Sequence, residues 1–442
     1  MSFSDTIFAL SSGHGVTGIA VIRISGRETD RVVRLLCGKT FSPRRATVSL
    51  LTDLSSGRVL DQAVVIWWPG PHSFTGEDVA EFHVHGSRAV VEAVLSLLGS
   101  LEGLRLAEPG EFTRRAFVNQ RIDLVEAEGL ADLLAARSAV QHAQAMRQML
   151  GDASVVYMQW RARLLRILAM AEAAIDFDEE GVSSAAETFR VKESVALRDE
   201  LAAALAAGDG ARRVRDGFRV VLAGFPNVGK SSVLNALAKR DAAIVSARPG
   251  TTRDAIEVSL LLGGYEVLIT DTAGLRQSSD EIETIGVARA LAAAAEADVL
   301  IWVVAPDVAG SSDVWPELRP DILLLNKSDL GVPELGLNRN ESLLKVSLSA
   351  IRGDCSELVQ SILDVITQKY QHTEQAIVTR ERHAAAIRDS IRLINESLRP
   401  GMVPEFVAEA LRNAATALGR ITGMIGVEDV LGAIFSEFCI GK

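Results

Sequence analysis

Hydrophobic and polar positions divide the chain into three textures. The first runs over residues 1 to about 118 and mixes strands with helix. Gly18-Ile-Ala-Val-Ile-Arg-Ile-Ser25 is rich in β-branched residues and reads as a strand. Gln62-Ala-Val-Val-Ile-Trp-Trp68 reads as another, stopped by Pro69-Gly70-Pro71. Val79-Ala-Glu-Phe-His-Val-His85 is a third, and Ser87 to Leu98 follows it as helix.

From about 121 to 209 apolar residues recur at helical spacing. Leu124, Ala127, Leu130, Leu133 and Leu134 form one stripe; Leu164, Ile167, Leu168 and Ala171 form another. Gly208-Asp209-Gly210 reads as a hinge. Residues 217–370 then alternate strand and helix. Phe218–Ala223, Val299–Val304 and Ile322–Leu325 read as buried strands. Ala255–Leu262 and Tyr265–Thr270 flank Gly263-Gly264 as a hairpin. Such alternation predicts a mostly parallel sheet covered on both faces. Helix returns after about 376. Ile377, Ile387, Ile391, Ile394 and Leu398 mark one helix, which Pro400-Gly401 breaks, and Phe406, Ala410, Leu411, Ala414 and Leu418 mark another. Helix on both sides of the α/β unit predicts one helical domain with that unit inserted.

The length of 442 residues suits about three domains. A net charge of −11 argues against a protein that coats nucleic acid without selectivity. A local basic patch remains open, since Arg23, Arg27, Arg31, Arg34, Lys39, Arg44 and Arg45 face only Asp5, Glu28 and Asp30 within residues 1–50. Cys37, Cys355 and Cys439 lie too far apart for a disulfide framework or a zinc spacing, which fits a reducing cytosol. Met1–Leu10 has no basic start before an apolar core. The apolar run Val299–Ala305 is far below the ~20 residues that span a bilayer. The expectation is a cytoplasmic protein with no membrane segment.

Gly224-Phe-Pro-Asn-Val-Gly229-Lys230-Ser231 follows a predicted strand and opens a helix, the context a phosphate-binding loop requires. Its glycines turn backbone N–H groups toward phosphate, Lys230 reaches the β/γ-phosphates, and Ser231 is the Mg²⁺ ligand. Asp271-Thr-Ala-Gly274 ends the next strand but one; there Asp271 supports Mg²⁺ and the Gly274 N–H meets the γ-phosphate. Asn326-Lys327-Ser328-Asp329 ends another strand. Asp329 can accept from guanine N1–H and N2–H₂, and adenine would leave it unpaired, so the order of motifs selects GTP over ATP. Ser349-Ala350 backs the base. In Gly250-Thr251-Thr252-Arg253-Asp254, Thr252 is the second Mg²⁺ ligand. Leu275 stands where Ras-like proteins place a water-orienting glutamine, so another polar group must orient water. Asp280-Glu281-Ile-Glu283 offers acids, and Arg253 and Arg276 offer cations.

Other patterns carry less. Gly13-His-Gly15-Val-Thr-Gly18 matches a dinucleotide fingerprint but precedes its strand. Glu81, His83 and His85 alternate on one strand face without a further cluster. Cys439-Ile-Gly-Lys442 has the length of a prenylation box but lacks its aliphatic residue.

The chain resembles the tRNA uridine-5-carboxymethylaminomethyl modification GTPase family, MnmE or TrmE, over its whole length. The likeness rests on GIAVIRISG (18–26), PGPHSFTGEDVAEFHVHG (69–86), PGEFTRRAFVNQRIDL (109–124), EAAIDF (172–177), the phosphate loop, GTTRD, DTAGLR, NKSD and the terminal FCIGK. It implies an α/β plus all-α fold: an N-terminal tetrahydrofolate-binding and dimerisation domain over 1–118, a discontinuous helical domain over 119–212 and 373–442, and an inserted Ras-like P-loop GTPase domain over 213–372. It implies GTP contacts from Asn227, Val228, Gly229, Lys230, Ser231 and Ser232, and from Ser246, Ala247, Arg248, Pro249, Gly250, Thr251 and Thr252. Asp271, Thr272, Ala273 and Gly274, then Asn326, Lys327 and Asp329, then Ser349, Ala350 and Ile351 complete that set. Asn227, Ser246, Arg248 and Thr251 align with a K⁺ site, Glu283 with the water-activating acid, and Cys439 with a functional terminal cysteine. Arg23, Glu81 and Arg121 would contact a 5-formyl- or 5,10-methylene-tetrahydrofolate. Arg121 stands where the family often has lysine.

The resemblance further implies a homodimer that works with the FAD-using partner MnmG (GidA). Together they build an aminomethyl-type group on C5 of the wobble uridine, with tRNA held mostly through the complex. Two competing readings make different demands. A ribosome-assembly GTPase would need a basic RNA-binding domain or a second G domain. A dynamin-like structural GTPase would need no small-molecule site near residues 1–120.

Overall fold

The computed structural model describes residues 4–13, 15–53, 56–176, 183–240, 257–271, 292–308, 319–331, 344–370 and 376–425, with Leu431, Ile434, Phe435, Phe438 and Gly441. The chain divides into two units: Met1–Leu134, Arg147–Ser194 and Arg392–Lys442 form one, Ala135–Met146 and Val195–Ile391 the other.

In the first unit a six-stranded sheet has the order β3-β4-β5-β2-β1-β6. Its strands are β1 (Thr6–Leu10), β2 (Thr17–Ser25), β3 (Thr47–Asp53), β4 (Arg58–Trp68), β5 (Val79–Gly86) and β6 (Leu104–Leu106). The period-two pattern of β2 sends Ala20, Ile22 and Ile24 to one face and Arg23 to the other. The first face packs against α1 (Thr29–Cys37) and α2 (Arg88–Ser100) through Val32, Val33, Leu36, Val94 and Leu98. Each such fully buried aliphatic side chain contributes about 1.5–3 kcal/mol. Ser87 caps α2 by accepting from the Val90 N–H. On the second face, α3 (Glu111–Val118) lays Phe112 against Ile7, Ala9 and Ala107.

A buried ion network ties α3 to the sheet. Arg115 is fully buried and donates to Glu111, Glu77, Asp5 and the Asp5 carbonyl. Glu77 in turn accepts from Ser25, and Thr75 shares that hydroxyl. The loop between β4 and β5 is therefore held from below.

The helices of this unit are nearly all of α4 (Leu124–Ala135), the last residues of α5 (Ala139–Met149), α6 (Asp152–Asp176) and α11 (Pro404–Ile421); α7 (Ser183–Asp216) and α10 (Glu381–Ser397) also give residues to both units. Helices α6 and α11 pack together. The end of the chain docks here as well. Ile434, Phe435 and Phe438 pack with Leu124 and Ala127, and the Gly441 carbonyl accepts from Ser11.

The second unit carries β7 (Phe218–Ala223), α8 (Lys230–Arg240), β8 (Glu257–Leu262), β9 (Tyr265–Asp271), β10 (Val299–Val304), β11 (Ile322–Leu325), β12 (Leu344–Ser347) and α9 (Ser356–Lys369). Its sheet order is β12-β11-β10-β7-β9-β8. All neighbours are parallel except β8 and β9, which form the expected hairpin. Five strands end on one edge, so their loops converge there. At the hairpin, the buried Glu266 accepts from Gln141 at 2.7 Å, Ser259 at 2.9 Å and Arg137 at 3.1 Å.

Three sequence expectations need correction. Gly208-Asp209-Gly210 is no hinge: α7 runs unbroken through it to Asp216. A Cβ on Gly208 would lie 2.7 Å from Val378 Cβ, so glycine admits a close neighbour there. Helix α10 begins at Glu381, leaving Ile377 outside it. Phe406 is 60% exposed, and the adjacent Val407 takes the inward position on α11. Among the described residues no helix is long and apolar enough to cross a membrane.

Candidate nucleotide-binding site

The loop between β7 and α8 is shaped by its two glycines. Gly224 has φ 144, and a Cβ there would lie 2.4 Å from the Val303 carbonyl. Gly229 has φ 92, and its Cβ would meet the Asn326 amide at 2.4 Å. Only glycine fits both positions. Val228 is fully buried in the sheet core and pins the loop from inside.

Lys230 opens α8, is 5% exposed, and donates to the Gly224 and Phe225 carbonyls at 2.8 Å each. Ser231 donates to Asp271 at 2.5 Å. Asp271 reaches it because β9 pairs in parallel with β7, Leu222 opposite Asp271. Ser232 is exposed on the first turn of α8.

Asn326 braces three loops. Its side chain donates to the Val228 carbonyl at 2.8 Å and accepts from the Ala350 N–H at 3.3 Å. Lys327 donates to the Asn227 carbonyl at 2.8 Å. Asp329 accepts from the Ser349 hydroxyl at 2.5 Å, and that bond foremost holds its carboxyl below the usual range. Ile351, 87% exposed, sits just beyond. The structure thus gathers Asn227, Lys230, Ser231, Asp271, Asn326, Lys327, Asp329, Ser349 and Ala350 at the carboxyl edge of one sheet. Ser246, Ala247, Arg248, Pro249, Gly250, Thr251, Thr252, Thr272, Ala273, Gly274, Glu283 and Cys439 lie outside the described residues.

A second cluster stands on the α3 side of the first unit's sheet. Arg23 and Glu81 are register partners across β2 and β5. The Arg23 guanidinium donates twice to Glu81 Oε1, at 2.8 and 2.9 Å. Glu81 Oε2 hydrogen-bonds His83 at 3.1 Å. The rings of Phe112 and Phe74 flank the guanidinium at 5.7 and 5.9 Å. Arg121 comes close to Gly76, where a Cβ would lie 3.2 Å from Arg121 Cγ.

Two family models match the chain. One, described as the GTP-binding protein TrmE N-terminus, covers residues 6–121. The other, the MnmE helical domain, covers residues 124–439. A Parvibaculum lavamentivorans protein named tRNA modification GTPase MnmE is 47% identical over 99% of this chain and 100% of its own length. Relatives of the same name from Phenylobacterium zucineum and Methylobacterium radiotolerans are 46% and 45% identical, each aligned over its whole length and at least 99% of this chain. The chain belongs to the MnmE family of tRNA modification GTPases.

It is also similar to a solved structure, the G domain of the T. maritima FeoB iron transporter, at 23% identity. That match covers 34% of this chain and 98% of the other, with a TM-score of 0.23, too loose to bear on the site. As a member of the MnmE family the chain is a GTP hydrolase acting in tRNA modification. Sequence reading overlooked one neighbour of the gathered residues: Asp307, an acid just past a fully buried strand, which accepts from Lys327 at 2.6 Å. The alternation of Glu81 and His83 on one strand face, read from the sequence, brings the two into a hydrogen bond.

Proposed function

We propose that this chain is a K⁺-dependent GTPase that acts in tRNA modification. With a FAD-dependent partner, MnmG (GidA), it would form the 5-carboxymethylaminomethyl or aminomethyl group on C5 of the wobble uridine, using a tetrahydrofolate one-carbon unit. The observation that carries the reading is the convergence of Lys230, Ser231 with Asp271, Asn326, and Asp329 with Ser349 on one sheet edge. GTP is the substrate.

The donor set fits its cofactors. Ser231 beside an acidic Asp271 offers the hard oxygens Mg²⁺ takes, and Ser231 with Thr252 would hold the ion. Asn227 is exposed with left-handed backbone at φ 64, which fits a role with Ser246, Arg248 and Thr251 in holding K⁺. Together the two ions would offset charge on the transferring phosphoryl group. Lys230 is already placed at the loop carbonyls, and Glu283 would activate water. The remaining GTP contacts follow the family pattern: Val228, Gly229, Ser232, Ala247, Pro249, Gly250, Thr272, Ala273, Gly274, Asn326, Lys327, Ala350 and Ile351.

For a folate, Arg23 and Glu81 offer a paired cation and carboxylate at a half-buried face, with Phe74 and Phe112 beside them. Such a pair can hydrogen-bond a pterin edge, and Arg121 supplies a further cation for the glutamate end. The assembly would be a homodimer in the cytoplasm, with residues 1–118 as folate and dimerisation domain, 119–212 and 373–442 as helical domain, and 213–372 as G domain. Cys439 would take part in the modification itself.

The testing experiment uses the purified full chain. GTP turnover is expected to be much faster in KCl than in NaCl at equal ionic strength, and Asn227→Ala should abolish the difference. Titration with 5-formyl-tetrahydrofolate should show binding that Arg23→Ala removes. Cation-indifferent turnover would remove K⁺ from the reading, and absence of folate binding would remove the one-carbon role.

A further inference from the structure

Asp307 lies beyond the carboxyl end of β10, outside every phosphate and guanine motif. Its Oδ2 accepts from the Lys327 ammonium at 2.6 Å. The same ammonium donates to the Asn227 carbonyl at 2.8 Å. On the way, the Lys327 stem passes Gly229, whose Cβ would lie 3.9 Å from Lys327 Cε. The side chain therefore bridges the guanine-reading loop to the phosphate loop.

Both ends of this bridge are strained. Asn227 has φ 64 and Lys327 has φ 59, and neither is glycine. Such residues keep left-handed backbone only where their surroundings over-determine it. The bond to the Asn227 carbonyl is charged on the donor side alone, and water competes for an ammonium that solvent can reach. Lys327 is 25% exposed, so water has access. A carboxylate at 2.6 Å adds an opposite charge that the carbonyl lacks, and with Asp307 43% exposed the pair is worth about 1 kcal/mol or less. Asp307 thus adds a charged partner to the strut that Lys327 forms.

We infer that Asp307 is a positioning residue for guanine nucleotide binding, acting through Lys327 rather than on the nucleotide. The inference rests on the nucleotide reading of this site. With Asp307 in place, the floor between Asn227 and the base-reading loop is set before the nucleotide arrives, so less ordering accompanies binding. GDP and GTP share the base and both gain. The chemical step at the γ-phosphate gains little.

The test compares Asp307→Asn and Asp307→Glu with wild type in the full chain. Release of a fluorescent GDP should quicken about fivefold in Asp307→Asn, and KM for GTP should rise alike, the scale of a partly exposed ion pair. The turnover number at saturating GTP should change less than about twofold. Asp307→Glu should recover at least half of the affinity. In a Lys327→Ala background, Asp307→Asn should have no further effect, because the strut is already gone. Wild-type release and KM in Asp307→Asn, or its full effect persisting in Lys327→Ala, would overturn the inference. Should Asp307→Asn fail to fold, Asp307→Glu set against Lys327→Ala decides by the same measurements. A wild-type chain that binds no guanine nucleotide would instead overturn the reading of the site itself.

Discussion

Ser231 donates its hydroxyl to Asp271 across 2.5 Å, although 40 residues separate them. The parallel pairing of β7 with β9 makes that meeting, because it ends both strands at the same edge. A hydroxyl oriented by a buried carboxylate presents its lone pairs outward, as a divalent cation requires.

Ser231→Ala should therefore lower GTP turnover by about a hundredfold or more, since metal stabilisation of transferring phosphoryl charge is worth several kcal/mol. The loss should not be restored at high Mg²⁺. Turnover close to wild type in a Mg²⁺ titration would take Ser231 out of the metal site.

Asp329→Asn should weaken GTP binding by about a hundredfold and admit xanthosine triphosphate, because the asparagine amide meets the xanthine carbonyl. Competition binding with the two nucleotides checks it. Equal GTP affinity in variant and wild type would dissociate Asp329 from the base.

The Ser349 hydroxyl, more than any other neighbour, holds the Asp329 carboxyl below the usual range. In the proposed reading the ionised form accepts from guanine, so affinity should persist as pH falls through the ordinary carboxylate range. Ser349→Ala should raise that pKa and bring the acid loss of GTP affinity to higher pH. Dissociation constants measured between about pH 4 and 7 test the shift. Superimposable profiles would argue against the hydroxyl.

Arg115 is the centre of the other buried polar system. Burial pushes the Glu111 carboxyl up, but bonds from Arg105, the Glu108 N–H and Arg115 hold it below its ordinary value. A carboxyl depressed in the folded state stabilises above its unfolded pKa, and that stability is lost as pH falls through the folded pKa. Thermal stability of the first unit should thus be level near neutrality and decline below about pH 4.5. Arg115→Leu should cost about 3–5 kcal/mol at neutral pH by leaving Glu111 buried and less paired. Calorimetry of the variant measures the loss; a melting point near wild type would show that the network is dispensable.

Glu283→Ala should reduce turnover by at least about a hundredfold while leaving nucleotide affinity nearly unchanged, as expected when only a transition-state interaction is lost. Single-turnover kinetics beside equilibrium binding separates the two. Normal turnover would assign water to another group.

By itself, the sequence determined the local features of this protein. Gly224 to Ser231, Asp271 and Asn326 to Asp329 each follow a strand pattern legible from apolar spacing, so order and chemistry could be read together. The hairpin at Gly263-Gly264 and the strand over Gly18–Ser25 were legible for the same reason: each depends on residues a few positions apart. Tertiary structure alone decided what depends on distant neighbours. Gly208 reads as a hinge in sequence, yet Val378 makes it a contact inside a continuous helix. Glu266 is an ordinary strand acid until Gln141 and Arg137 meet it. Asp307 is an ordinary loop acid until the order β11-β10-β7 carries it to Lys327. Arg23 and Glu81 are 58 residues apart and become partners only through strand register. The physical reason is the range of the forces involved. Backbone propensity and side-chain period act over a turn or two, whereas a hydrogen bond acts only at contact, and folding chooses which distant groups touch.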